Sequence, residues 1–533
     1  MLCGQAASGQ RSSPVIDSMV VSFGEKSQVR GLPAVYLHLD KTIYVRNEHI
    51  WFTAYLLNGS PETEQTLYVA LTDPMKKEVL VQSRFVMSKY MGQGYLMVPD
   101  SLESGEYRLV AYTSSYLKSQ QQEVFQQAIS IRAPDKSRII VNDLSGPVQT
   151  GQPLSLKYKV TNYEQKPADK EPLIYRLYDG NHLLDSGRKQ TDIWGEVQLK
   201  LPPAPDSTRE LVMDINTSYK KEPRNIRIPL QVRTPLRVRW FAEGGSMVAY
   251  RRSRMAFEIS ENGRALSAQG ELLAAGLPVA AFRSNTAGRG WLYFVPMPGV
   301  EYSLKLLDRK EAIPVTLPDI LPDGYTLSVE NALPEDALDV TIHTPDNDSS
   351  CFVALHNYHD IYFSGAILLP RHQARIRLPM HEVPRGLVTL TLFSGSGEPV
   401  AERAILAHNS QRLQVNITTD SAQYHTRSKV KVKVKVTNSK GEPVRGMLSA
   451  GLALDKRVDT FRFRDIDRYY YFEQHLPSPA ILPGFRFFDD ERQLEELLLT
   501  KCWTRYRKDA PPYHHLSFMK KTSTASCCSI ISQ

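Results

Sequence analysis

Residues 35–57, VYLHLDKTIYVRNEHIWFTAYLL, decide how the rest of the chain is read. Val35, Leu37 and Leu39 alternate with Tyr36, His38 and Asp40, the period of two expected of a half-buried strand. Ile50, Phe52, Ala54 and Leu56 alternate with Trp51, Thr53 and Tyr55 in the same way. Between them lies DKTIYVRNEH, rich in turn-formers and charge. The stretch reads as two strands joined by a polar loop. Trp51, Phe52 and Tyr55 are expected to fill and cover a sandwich core rather than to bind a ligand.

The bulk numbers extend this reading outward. A chain of 533 residues is too long for one core, and at ~100–150 residues per domain it holds about four or five. With 42% hydrophobic and 23% charged residues and a mean hydropathy of −0.33, it is too apolar for disorder. No run of ~18 apolar residues suggests a membrane helix. The 34 prolines and 30 glycines, and a Tyr count of 26 against 18 Phe, suit short strands and turns. A formal charge of +8 is mild for this length, and no nucleic-acid-reading signature accompanies it. The five cysteines, Cys3, Cys351, Cys502, Cys527 and Cys528, are widely spaced and odd in number. They form neither a disulfide framework nor a zinc pattern. The opening MLCGQAASGQ ends in small residues and reads as the tail of a signal peptide that lacks the charged n-region and most of the apolar h-region, the alternative being a cytoplasmic chain.

Pro-rich and polar joints at 133–137, 232–236, 321–326 and 407–411 divide the chain. Strand-like alternation opens each unit, and a Gly-started, Pro-ended strand closes it, as in WGEVQLKLP (194–202) and GRGWLYFVPMPGVEYSLKL (288–306). Units of about 85–105 residues with this spacing predict an all-β chain of serial immunoglobulin- or fibronectin-III-like sandwiches. The expected division is a leader remnant or linker (1–30), sandwiches at 31–133, 134–233, 234–325 and 326–409, and a partial sandwich at 410–460. An irregular, partly helical tail, expected to reflect a truncated or frameshifted product, then occupies 461–533. In KVKVKVKVTN (429–438), Val430, Val432, Val434 and Val436 form one face of a strand and Lys429, Lys431, Lys433 and Lys435 the other. The lysine face is either a basic patch for an anionic partner or a guard against edge-to-edge pairing. Asp489 and Asp490 before Leu494, Leu497 and Leu498 predict a short capped helix. Trp503, Arg505 and Arg507 follow it, and such a helix outside the sandwiches could dock on a partner.

Catalytic and metal patterns are missing. HNYHD (356–360) places His356 and His359 three apart, with His343, His372 and His381 in the same unit. On a strand such a pair points to opposite faces, so surface or interface histidines are expected. Asp73, Asp100, Asp179 and Asp192 fall at expected turns. No Gly-x-Ser-x-Gly, phosphate-loop or zinc signature occurs. No catalytic residue, cofactor or metal site is read.

Residues 35–57 resemble the first strands of a macroglobulin-type domain, of the kind found in α2-macroglobulins, and especially the version in Bacteroidota envelope proteins. LYVALTDP (67–74) and DSLESGEYRLVAYT (100–113) resemble later parts of that domain. RWFAEGGSMVAYRRSRMAFEI (239–259), with its Phe-x-Glu-Gly-Gly turn, resembles a later sandwich, and LFSGSGEPVAERAIL (392–406) the end of the next. SKVKVKVKVTNSKGEPVRGMLSAGLAL (428–454) resembles a fifth unit, and LEELLLTKCWTRYR (494–507) the helix after it. The resemblance covers most of residues 31–507. It implies a non-enzymatic protein of the periplasm or outer-membrane face, a scaffold or interaction arm linked to a TonB-dependent outer-membrane receptor or another envelope protein. It also implies an alternative, endopeptidase inhibition, with a protease as partner. The thioester motif of protease-trapping relatives has only the echo Cys3-Gly4-Gln5 here, outside any expected domain. A carbohydrate-binding array, with a polysaccharide as partner, is a further alternative that exposed aromatics on one face would favour.

Overall fold

The two alternating runs of the opening stretch pair as antiparallel neighbours, with Leu37 opposite Ala54 and Leu39 opposite Phe52. The computed structural model describes residues 34–501 except 63, 75–77, 115, 117–123, 133–138, 163, 181, 206–210, 218–223, 234, 263, 346–348, 358–359, 460–461 and 474–489. The first sandwich comprises β1 (Ala34–Leu39), β2 (Ile43–Val45), β3 (His49–Asn58), β4 (Thr66–Asp73), β5 (Glu78–Ser88), β6 (Met91–Met97), β7 (Gly105–Thr113) and β8 (Phe125–Arg132). Their order is β1-β3-β6-β5-β4-β7-β8-β2. β5 pairs with β4 along its length and with β6 only through Met87 and Ser88, so the path folds into two layers. Val35, Leu37, Ile50, Phe52, Leu67, Val69, Leu109 and Ile129 fill the space between them.

Three more sandwiches follow, each with a three- or four-stranded sheet over a four-stranded one. In the second, Ile139–Asp143, Leu154–Asn162 and Glu196–Leu201 cover Pro172–Asp179, His182–Gln190, Leu211–Thr217 and Arg224–Leu230. The third stacks the sheet of Arg237–Ala242, Ser253–Glu261 and Arg289–Phe294 on that of Gln269–Ala274, Leu277–Arg283 and Tyr302–Leu306. The fourth stacks Thr326–Val329, Ala337–His343 and Gln373–Pro379 on Ser350–His356, Ile361–Leu368, Gly386–Phe393 and Pro399–Ala407. The all-β reading of tandem sandwiches therefore holds.

One turn recurs where a closing strand begins. Asp192 Oδ1 accepts from the backbone N–H of Trp194 and Glu196 at 2.9 and 2.8 Å, the Asx turn expected there. Gly195 follows at φ +72°, and a Cβ on it would sit 2.3 Å from the Val160 carbonyl oxygen. Asn285 and Gly288 repeat the arrangement in the third sandwich, with the Ile259 carbonyl oxygen again 2.3 Å from the added Cβ. Only glycine fits both the conformation and the approach.

Beyond residue 410 the structure departs from expectation. Gln414–Thr419 and Val432–Thr437 form an isolated two-stranded sheet. The valine face is not buried: Val430, Val432 and Val434 are 44%, 57% and 36% exposed, because no second sheet lies over them among the described residues. The chain instead returns to the first sandwich. Ser449 Oγ lies 2.5 Å from His38 Nδ1, and Thr42 N–H donates to the Arg457 carbonyl at 3.2 Å. Helix α1 (Ile466–Tyr471) sets Tyr469 against Tyr36 and Phe125 at ring-centroid distances of 6.0 and 5.4 Å. Tyr36, read as the outward side of a half-buried strand, is buried under this return segment. Trp51 is corrected the other way. Its neighbour Phe52 fills the core, while Trp51 stays 52% exposed.

Helix α2 (Glu491–Lys501) confirms the expected cap, since Asp490 Oδ1 accepts from Gln493 N–H at 3.1 Å. Its leucine face, however, does not await a partner. Leu494, Leu497 and Leu498 are buried in the core of the fourth sandwich.

Candidate functional site

The FAEGG turn (241–245) proves to be the centre of a largely buried cluster of four charged side chains. Glu243 follows the strand Arg237–Ala242, and its N–H donates to the Arg254 carbonyl at 3.0 Å. Gly244 (φ +77°) lets the next sandwich close in: a Cβ there would lie 2.7 Å from the Leu327 carbonyl oxygen. That approach brings the buried Glu243 carboxylate to Ser328 Oγ at 2.8 Å and to Val329 N–H at 3.3 Å. Arg254 Nε and Arg403 Nε each donate to it at 3.0 Å. Both guanidiniums also reach Glu495 on α2, Arg254 at 3.0 Å and Arg403 at 2.5 Å. Two carboxylates and two guanidiniums balance in formal charge. Burial alone would raise the Glu243 pKa, but Arg403 and Arg254 outweigh it and hold the carboxyl below its ordinary value. Arg254 is raised in turn: Glu243 and Glu495 overcome the opposing effect of burial. The cluster joins the third sandwich, the fourth and α2, and the Glu243 carboxylate that Ser328 Oγ donates to is already held by two guanidiniums. Its chemistry is positional.

A second cluster fixes α1. Tyr36 Oη donates to the Arg464 carbonyl at 2.6 Å, and Arg464 Nη1 to the Gln126 carbonyl at 2.6 Å. Glu473 pairs with both Arg464 and Arg468. On the far side, Arg385 grips Asp467, with Nη2 to Oδ2 at 2.7 Å, and lies over the Tyr471 ring at 4.2 Å. The return segment thereby touches the first and fourth sandwiches together.

Lys429, Lys431, Lys433 and Lys435 are all exposed on the hairpin, although regular strand begins only at Val432. Trp503, Arg505 and Arg507 lie outside the described residues, as do His359, Cys3, Cys502, Cys527 and Cys528. His356 is corrected from surface to core: it is buried, its Nε2 2.8 Å from Thr391 Oγ1. His343 is half-buried, and burial, then Arg251 at 3.1 Å, lowers its pKa. His381 is exposed, in a cleft with Glu335, Arg385 and His408. Among the described residues no group of three or more His, Cys, Asp or Glu could hold a metal ion. Nor is any helix among them long and apolar enough to cross a membrane.

An aromatic patch stands open on the first sandwich. Trp51 and Tyr95, opposite each other on β3 and β6, have ring centroids 4.8 Å apart, and His49 lies 4.5 Å from Tyr95. The period-two alternation placed Trp51 on the outer face, but nothing in the sequence marked which part of that face the return segment covers.

No protein-family model matches the chain, and no curated protein matches it. Solved structures do. The chain is similar to native α2-macroglobulin of Escherichia coli, with 12% identity and a TM-score of 0.32 over 77% of this chain and 32% of that one. It is also similar to latent PorU of Porphyromonas gingivalis, with 12% identity and a TM-score of 0.23 over 52% of this chain and 35% of that one. The tetra-tandem repeat of a large adhesion protein's extending region matches with 12% identity and a TM-score of 0.17, over 70% and 97% of the two chains. The chain thus spans about a third of the length of the macroglobulin chain it matches.

Proposed function

We propose that the chain is a non-enzymatic scaffold or interaction arm of the cell envelope, associated with an outer-membrane uptake receptor. The observation that carries this reading is the Glu243–Arg254–Arg403–Glu495 cluster. The buried charges of Glu243, Arg254 and Arg403 serve to hold the third sandwich against the fourth, while the open features are surfaces. The macroglobulin-type resemblance of residues 31–507 supports the envelope placement and the link to a TonB-dependent receptor.

Fractionation of the host tests this reading. The chain should be recovered with the outer membrane and co-purify with a receptor in a salt-sensitive manner. Recovery in the cytoplasm would refute it. Incubation with a panel of endopeptidases should leave hydrolysis of casein unchanged. Loss of casein hydrolysis with retained cleavage of a small chromogenic peptide would establish the inhibitor reading instead. The exposed Trp51–Tyr95 pair favours one second reading, a sugar-binding face, since two neighbouring exposed rings, tilted 53° to each other, offer apolar surface to a pyranose. Trp51→Ala should then abolish retention on an immobilised polysaccharide without changing stability.

A further inference from the structure

The hairpin beyond residue 410 repeats part of the second sandwich, and the repeat specifies which neighbours have no counterpart beside it among the described residues. Asn162 Oδ1 accepts from the N–H groups of Glu164 and Lys166 at 3.0 and 2.9 Å, and Thr161 bridges to Pro167. Asn438 Oδ1 accepts from Lys440 and Glu442, both at 3.0 Å, and Thr437 bridges to Pro443. Matching the two turns sets Leu154, Leu156 and Tyr158 against Val430, Val432 and Val434. The first three are buried; their counterparts are exposed.

The strand neighbours differ as well. In the second sandwich Leu154–Asn162 is a middle strand, between Ile139–Asp143 and Glu196–Leu201. In the hairpin, Gln414–Thr419 stands in for the first neighbour. Among the described residues nothing stands in for the second. The Lys431 carbonyl accepts from Asp420 N–H on the paired side, and the Val436 carbonyl accepts from Val444 N–H on the other. Alternation therefore turns the peptide groups of Val432 and Val434 toward the open edge.

The charge along that edge selects the occupant. Lys431, Lys433 and Lys435 match Ser155, Lys157 and Lys159, and Lys157 Nζ pairs with Glu196 Oε2 on the adjacent strand at 2.5 Å. A second copy of the hairpin, added edge to edge, would set lysines against lysines, which disfavours it. We propose that the open edge of Val432–Thr437 accepts an extended strand from a partner protein, antiparallel, apolar on the valine side and acidic on the lysine side. The inference goes beyond the envelope placement above and requires only the hairpin.

The test uses the whole chain and a fluorescein-labelled decapeptide of alternating Glu and Val, flanked by Gly. A peptide of the same composition, with its Glu and Val residues in two blocks, serves as control. The alternating peptide should bind at least tenfold tighter than the block peptide, as read by fluorescence anisotropy. Hydrogen exchange at Val432 and Val434 should slow when it binds. The variant Lys431→Glu, Lys433→Glu, Lys435→Glu should weaken binding at least tenfold. Equal affinity for both peptides, or binding without slowed exchange, would reduce the edge to a polyanion patch and overturn the proposal. Concentration-dependent dimerisation that itself slows exchange at Val432 would overturn it in favour of a second copy.

Discussion

Glu243 faces two guanidiniums, whereas Asp465 faces the first turn of α1, and these surroundings pull the two carboxyls in opposite directions. Glu243 is held below its ordinary 4.5, so its contribution to stability is present above that value and lost as pH falls through the lower folded pKa. Glu243→Gln should cost about 3–5 kcal/mol, because it leaves Arg254 and Arg403 short of buried countercharge. Urea denaturation at pH 7 checks the cost, and the variant should also lose part of the acid dependence. Asp465 is an exposed residue, yet neighbouring protein partly desolvates its carboxyl and raises it above its ordinary 3.8, although Arg468 N–H donates to it at 2.7 Å. Its contribution is therefore full below that value and is lost as pH rises through the folded pKa. Asp465→Asn keeps the cap and removes a charge that the neighbouring protein partly desolvates, so stability at pH 7 should be unchanged or higher. A loss above about 1 kcal/mol would contradict the assignment. The sequence showed Glu243 only as part of a tight turn. Its partners Arg403 and Glu495 lie in other elements far along the chain, and no local pattern announces such a meeting.

At the scale of elements, alternation was legible wherever one face meets a core. Val35, Leu37, Ile50 and Phe52 are buried as the period of two requires. Asp192 and Asp490 take the turn and cap roles that their chemistry favours. What the pattern could not supply was the identity of the cover. Tyr36 is buried because a segment more than 400 residues away in sequence lies on it, as the Arg464 contact shows. Val432 is exposed because no second sheet lies over it among the described residues. The matched pair Leu156 and Val432 turns this into a measurement. Leu156→Ala should cost about 2–5 kcal/mol, whereas Val432→Ala should stay within about 0.5 kcal/mol. Comparable losses in urea melts would mean that the hairpin's apolar face is covered in solution.

At the scale of the whole molecule, four sandwiches in sequence would be expected to move about their joints unless something spans them. Two devices do. The Glu243 cluster fastens the third sandwich to the fourth through α2, and α1 clasps the first against the fourth through Tyr469 and the Arg385–Asp467 pair. Neither was legible from the joints themselves, whose Pro-rich character suggests loose linkage. A fixed frame is what the proposed interaction arm requires if its open surfaces are to face a partner in constant geometry.

The most direct test of that frame is a spin-label distance between exposed positions 86 on the first sandwich and 368 on the fourth, both 79% exposed. Cysteines would be introduced at Val86 and Leu368, with the buried Cys351 retained and the other native cysteines replaced by serine. The account requires one narrow distance distribution that broadens when Asp467→Ala breaks the clasp. A broad distribution in the otherwise unaltered chain would contradict it.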